Sequence, residues 1–210
     1  MARRRNNSEN RTQSQRDLIL ILDKYEMDIF TLDDVKKLVP EQGQKVNDIL
    51  KSLVHKKVLS RIQRGKYCRA NFRDEKAIGC FLVPDGAIAY WSALNLHGLT
   101  EQFSNTIFIQ TTKIKEAKKV FGVSYKFVTL NKTKREGIIK EGYGNHSYSI
   151  TDVEKTIVDC FDLLKYSGGY PELIRAFSKA KLSPKSMIRY CKAINNIAAT
   201  KRMGFLAKLL

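Results

Sequence analysis

The stretch QKVNDILKSLVHKKVLSRIQRGKYCR, residues 44–69, decides how the first third of this 210-residue chain is read. Val46, Ile49, Leu50, Leu53 and Val54 step i, i+3, i+4, i+7, i+8. That spacing predicts a helix with one narrow apolar side. Val58 to Gln63 and Lys66 to Ala70 are short extended runs on either side of Arg64 and Gly65. Gly65 can supply the positive φ of a tight hairpin turn. The stretch therefore predicts a helix followed by a hairpin.

Working toward the N-terminus, Leu18, Ile21, Leu22 and Tyr25 repeat at helical spacing. Ile29 and Phe30 close the connection after them. Thr31 is placed to cap a second helix, with Asp34 three residues on as its capping-box partner. Leu32, Val35, Leu38 and Val39 form the buried side of that helix. Pro40 ends it, because the residue before a proline avoids helical angles. Residues 40–43 then form a tight turn. Helix, helix, turn, helix, hairpin is the order of a winged helix-turn-helix. Residues 1–15 are almost without apolar side chains and are expected to be a disordered basic tail.

Charge gives this small domain a polarity. The chain carries 38 Lys+Arg against 21 Asp+Glu, net +17, which points to a polyanionic partner. Residues 17–41 hold seven acids and three bases. Residues 42–73 hold nine bases and one acid, Asp48. The basic half is the half that a helix-turn-helix turns toward the groove of double-stranded DNA. The expected DNA-binding residues are Gln44, Lys45, Asn47, Asp48, Lys51, Ser52, Arg61, Arg64, Lys66 and Arg69. Among these, Gln44, Lys45, Asn47 and Asp48 lie in the first turns of the helix and are the base readers, since amide and ammonium groups suit adenine and guanine edges. Lys51 is assigned to phosphate. Arg64 and Lys66 flank the hairpin tip, which lies along the backbone or enters a minor groove. Five or six phosphate contacts would give log K a slope of roughly −5 against log salt.

Beyond residue 76 the pattern predicts a mixed α/β domain with a helical C-terminal third. Helices are expected over 85–96, capped by Asp85, and over 116–121. Strands are expected over 106–111, 124–130, 137–140 and 146–150. Thr151 is expected to cap a helix running to Leu164, with Glu154 in the capping-box position. Gly168 and Gly169 break the chain, and helices fill 171–180, 184–195 and 198–209. The fold class is thus α+β, with a tail over 1–15, a winged helix-turn-helix over 16–73 and an α/β domain over 76–210. Residues 74–210 are also basic, 21 against 12 acids, which leaves room for a second polyanion contact.

Several chemistries have no signature here. No G-x-x-x-x-G-K, G-x-G-x-x-G or G-x-S-x-G occurs. The four cysteines and three histidines are scattered without a Cys-x-x-Cys pair. No catalytic residue, metal site or cofactor is therefore predicted, and the thiols are expected to be buried or half-buried. Asp152, Glu154 and Lys155 have the residue types of a nuclease centre. They fall in a first helical turn, where acids cap amides, and that structural role is preferred. No apolar run approaches the length of a membrane span and the start lacks a signal peptide's apolar stretch. A cytoplasmic protein with no membrane partner is expected.

Three further segments carry a family resemblance. SALNLHGLTEQ at residues 92–102 resembles a helix-ending segment of the AbiEi family, the antitoxins of type IV abortive-infection toxin–antitoxin systems. RGKY at 64–67 is similar to that family's wing. TDVEKTIVDC at 151–160, followed by YSGG at 166–169, is similar to its D-x-E-K…D segment before a Gly-Gly break. The resemblance spans about residues 15–180. It implies an N-terminal domain that binds an inverted-repeat operator and represses its own operon. It also implies a C-terminal domain needed to neutralise a nucleotidyltransferase-like toxin, without implying a direct complex. The competing expectation is an RNA-binding or protein-interaction module built on the basic C-terminal domain, and behind it a nuclease. The last segment, residues 201–210, reads as an apolar and basic helix that packs on the domain or meets a partner.

Overall fold

The computed structural model describes residues 12–39, 43–102 and 104–209, with the side chains of Gly43 and Gln44 outside that set. The expected tail lies outside the described residues as far as residue 11, and so do residues 40–42 of the expected turn. The chain is mixed α+β and divides into two compact units, Met1–Asp74 and Glu75–Leu210. Among the described residues, no helix is long and apolar enough to cross a membrane.

The first unit begins earlier than expected. Thr12 caps helix α1 (Gln13–Lys24), and Gln15 closes a reciprocal capping box with it. The tail reading of residues 12–15 is therefore corrected: side-chain capping and the burial of Gln15 hold this segment in the fold. Next, where the sequence predicts only a connection, comes a strand, β1 (Ile29–Thr31). Thr31 caps α2 (Leu32–Leu38). Its amide donates to Asp34 Oδ2 at 2.9 Å and its Oγ1 accepts from the Asp34 amide at 3.1 Å. Helix α3 (Gly43–His55) follows, then β2 (Leu59–Gln63) and β3 (Lys66–Arg69).

The three strands form an antiparallel sheet in the order β1-β3-β2. Phe30 lies opposite Tyr67 in the register, and the two rings stack with centroids 6.2 Å apart. Leu18 and Leu22 of α1, Val35 of α2, and Val46, Leu50 and Leu53 of α3 close the core over that pair. The apolar stripe read from α3 is thus the face it buries.

The second unit is built on a six-stranded sheet ordered β6-β7-β5-β4-β9-β8. The strands are β4 (Ala87–Ile88), β5 (Thr106–Thr111), β6 (Lys118–Val120), β7 (Val123–Thr129), β8 (Ile138–Glu141) and β9 (Tyr148–Thr151). The β5–β7 and β4–β9 pairs are parallel and the others antiparallel. Alternation along β5 and β7 separates two packed faces. Ile109 and Tyr125 lie against Gly79 of α4 (Glu75–Phe81), where an added Cβ would sit 2.8 Å from the Tyr125 ring. Phe108 and Val128 join the larger core. That core is made by α5 (Tyr90–Leu96), α6 (Val153–Asp162), α7 (Tyr170–Lys179), α8 (Pro184–Ile194) and α9 (Ile197–Leu209).

Three local expectations are overturned here. Asp85 does not cap a helix: its carboxylate accepts from Thr111 Oγ1 and, at 2.8 Å, from the Thr112 amide. The helix starts only at Tyr90, after strand β4. Residues 116–121 do not form a helix either. Phe121 and Gly122, both at positive φ, turn β6 directly into β7. Helix α6 is capped by Asp152, whose Oδ1 accepts from the Lys155 amide at 2.7 Å, and not by Thr151.

Candidate nucleic-acid interface

Helix α3 buries Val46, Leu50 and Leu53, so its opposite side is fixed as the outer one. Asp48, Lys51 and His55 recur there at i, i+3, i+7 and are exposed. Lys45 is exposed at the first turn and Asn47 is half-buried on the flank. The side chain of Gln44 lies outside the described residues. Asp48 and Lys51 pair at 3.2 Å across this exposed face. An exposed pair of this kind is worth about 0–1 kcal/mol, so an approaching phosphate can take Lys51 at little cost.

Two of the ten expected contact residues are placed elsewhere. Ser52 faces α1, where Gln15 Nε2 donates to its Oγ at 2.9 Å. Lys56 donates to the Oε1 of the same Gln15 at 2.8 Å. The α1 side of α3 is therefore a packed polar seam, and Ser52 is part of it. Arg69 is the second correction. Its side chain is only 15% exposed, and its guanidinium pairs with Asp23 and, at 4.0 Å, with Asp28. Nε also donates to the Met27 carbonyl at 3.3 Å. Arg69 thus ties β3 to the turn after α1. Its charge is spent on the acidic half of the unit. Arg69→Ala is expected to destabilise the unit by about 1–3 kcal/mol, the cost of emptying a charged hydrogen-bond site. Duplex affinity, measured below the melting range, should change less than about 3-fold.

The hairpin carries the remaining basic groups. Arg61 and Arg64 are exposed and Lys66 is half-buried. Arg61 lies opposite Tyr67, and the register shifts between Arg61 and Gln63, which leaves Ile62 buried. Gly65 takes φ of +73° at the tip. Its carbonyl accepts from the Leu32 amide at 2.8 Å, so the tip is fastened to the first residue of α2. Arg64 is therefore presented from a held turn. The link from α3 to β2 is equally tight. Lys57 takes a left-handed φ of 57°, and the Val58 amide closes back onto the Leu53 carbonyl at 3.0 Å. Lys57 is exposed at that turn. It is not one of the ten expected contacts, since it falls between the helix and the hairpin runs from which those are drawn.

The nuclease-like set in the second unit does not converge. Asp152 caps α6 and accepts from the Tyr190 hydroxyl at 2.5 Å. Glu154 accepts from the Ser183 amide at 2.8 Å, outside the expected capping box. Lys155 is wholly buried and pairs with Asp159 one turn on. Burial pushes Asp159 up to about 6, against the pull of the Lys155 ammonium. The second Asp159 oxygen and the nearby Tyr90 hydroxyl are buried with no hydrogen-bond partner among the described groups. Among the described residues, no three His, Cys, Asp or Glu side chains are grouped to hold a metal ion. The four thiols are all free, and burial raises Cys68 to about 11, with Arg73 opposing the shift.

No protein-family model matches the chain, and no curated protein matches it at a significant level. Geometry and charge therefore carry the functional argument.

Proposed function

We propose that the N-terminal unit is a winged helix-turn-helix that binds double-stranded DNA, and that the chain acts as a sequence-specific transcriptional repressor. In this proposal α3 enters the major groove and the β2–β3 hairpin is the wing. One observation carries it. Among the described residues of the unit, α3 and the hairpin are the basic, acid-poor part, and the side of α3 away from the core is the side that exposes Lys45, Asp48 and Lys51. The acids collect on α1, α2 and the turn between them, where Asp23 and Asp28 hold Arg69. A solvated helix with no partner gives no reason for that separation.

The repressor is proposed to be the antitoxin of a type IV toxin–antitoxin operon, opposing a nucleotidyltransferase-like toxin. This part rests on the resemblance of residues 92–102, 151–160 and 166–169 to that family. The second unit has a packed core behind those residues and is proposed to be non-catalytic.

The test is selection of duplexes from a random-sequence pool by the full chain. An enriched inverted-repeat motif is expected. Lys45→Ala and Asn47→Ala should change the motif, each costing about 1–3 kcal/mol at the base it reads. Arg64→Ala should weaken binding to all sequences alike and leave the motif intact. Failure to enrich any motif would overturn sequence-specific binding. Identical behaviour of the three variants would overturn the division between base reading and backbone contact. The antitoxin role is tested separately: co-expression should relieve growth arrest caused by a nucleotidyltransferase-like toxin of the proposed operon, and no relief would remove that role while leaving DNA binding intact.

A further inference from the structure

We propose that the second unit carries a docking groove for an acidic amphipathic helix of a partner protein, formed between α8 and α9. The groove is a cavity of about 780 Å³. Its floor is apolar: Phe177, Leu182, Met187, Cys191, Met203 and Ala207 line it. Ile188 and Ile197 also line it and are 57% and 70% exposed. Large aliphatic groups in such number on one open face mark an interaction site. Two helices of eleven and thirteen residues flank it. They make a trough roughly 16–20 Å long at about 1.5 Å per residue. That length suits three turns of a helix inserting apolar anchors at i, i+3, i+4 and i+7.

Charge selects the occupant. Residues 181–210 contain seven bases and no acid. Lys192 and Lys201 lie on the groove wall itself. A second copy meeting it face to face would bring the same acid-free surface against it, and like charges meeting across an interface cost several kcal/mol. A helix with an apolar face and acidic flanks satisfies both the floor and the rim. An anionic bilayer would meet the rim charges and the exposed Ile188 and Ile197, but its flat surface would not reach the buried Phe177 and Met203. The groove is lined wholly by residues of the second unit.

Gly204 supplies the decisive variant. It lines the groove, and a Cβ built on it meets no heavy atom within 4 Å. Leucine there would fill the groove and raise helix propensity at the same time. The probe is a fluorescein-labelled 16-residue peptide with leucines at i, i+3, i+4 and i+7 and glutamates on its flanks, followed by anisotropy with the full chain. Saturable micromolar binding is expected. Gly204→Leu should weaken it at least tenfold with an unchanged or higher melting temperature. Lys192→Glu combined with Lys201→Glu, both exposed, should weaken it by a similar factor. A scrambled peptide of the same composition should bind at least tenfold more weakly, and duplex DNA should not displace the ordered one. Equal binding of the scrambled peptide, or no effect of Gly204→Leu, would overturn the proposal. Preference for phosphatidylserine vesicles over the peptide would overturn it in favour of a membrane. A dimer in sedimentation that Gly204→Leu dissociates would overturn it in favour of a second copy.

Discussion

Raising the salt from 50 to 200 mM is expected to weaken duplex binding by the full chain roughly 500-fold, using about 0.9 counterions released per phosphate neutralised. The figure takes one phosphate for each of five basic residues on α3 and the hairpin. Arg69 is engaged by Asp23 and Asp28 and drops out. Lys45, Lys51, Arg61, Arg64 and Lys66 remain on the outer side of α3 and on the hairpin. If each neutralises one phosphate, log K falls with log salt at a slope of about −4.5. Removing Arg64 should lower that slope by about one unit, and removing Arg69 should leave it unchanged. Fluorescence anisotropy at four salt concentrations measures it. A slope shallower than about −2 would sink the proposed interface, because so few phosphates could not orient a helix in a groove.

The second large effect lies far from that surface. Lys155→Met is expected to destabilise the second unit by about 3–5 kcal/mol, the usual cost of removing one partner of a buried ion pair. Lys155 is 0% exposed and Asp159 2%, so neither charge can recover its loss from water. The double variant Lys155→Met/Asp159→Leu should restore most of the stability, since an apolar pair carries no desolvation penalty. Urea unfolding of the wild type, both single variants and the double variant closes the cycle. A cost below about 1 kcal/mol for Lys155→Met alone would show that the pair is incidental. pH gives an independent check. The folded value of Asp159, about 6, lies above its ordinary 3.8 because burial disfavours the carboxylate. Its contribution to stability is therefore complete below about 3.8 and is lost as pH rises through about 6. Asp159→Asn should flatten the melting temperature across that window relative to the wild type.

What the sequence made legible was whatever depends on local periodicity. The α3 stripe of Val46, Leu50 and Leu53 is the buried face in the structure, and Thr31 with Asp34 is a true capping box. Gly65 sits at positive φ in the turn where a tight hairpin needs it. The losses come where tertiary contacts decide. β1 is three residues long, too short for an alternation to register, and exists because Phe30 pairs with Tyr67. Asp85 has the residue type of a helix cap, but Thr111 and Thr112 claim its carboxylate from across the sheet. These hydrogen bonds and the Arg135 guanidinium outweigh the effect of burial and hold it down at about 2. Ser52 and Arg69 were chosen for their chemistry on the basic half. Their partners, Gln15 and Asp23, lie 37 and 46 residues away and leave no trace in spacing.

The hydrogen bond from the Leu32 amide to the Gly65 carbonyl makes one backbone proton a built-in gauge of the hairpin tip. That proton can exchange with solvent only when the tip lifts away from the start of α2. Deuterium uptake at Leu32 therefore reads tip opening directly, residue by residue, without a label. If duplex clamps the tip, Leu32 should exchange more slowly in the complex, and Arg64→Ala should return it to the rate of the free chain.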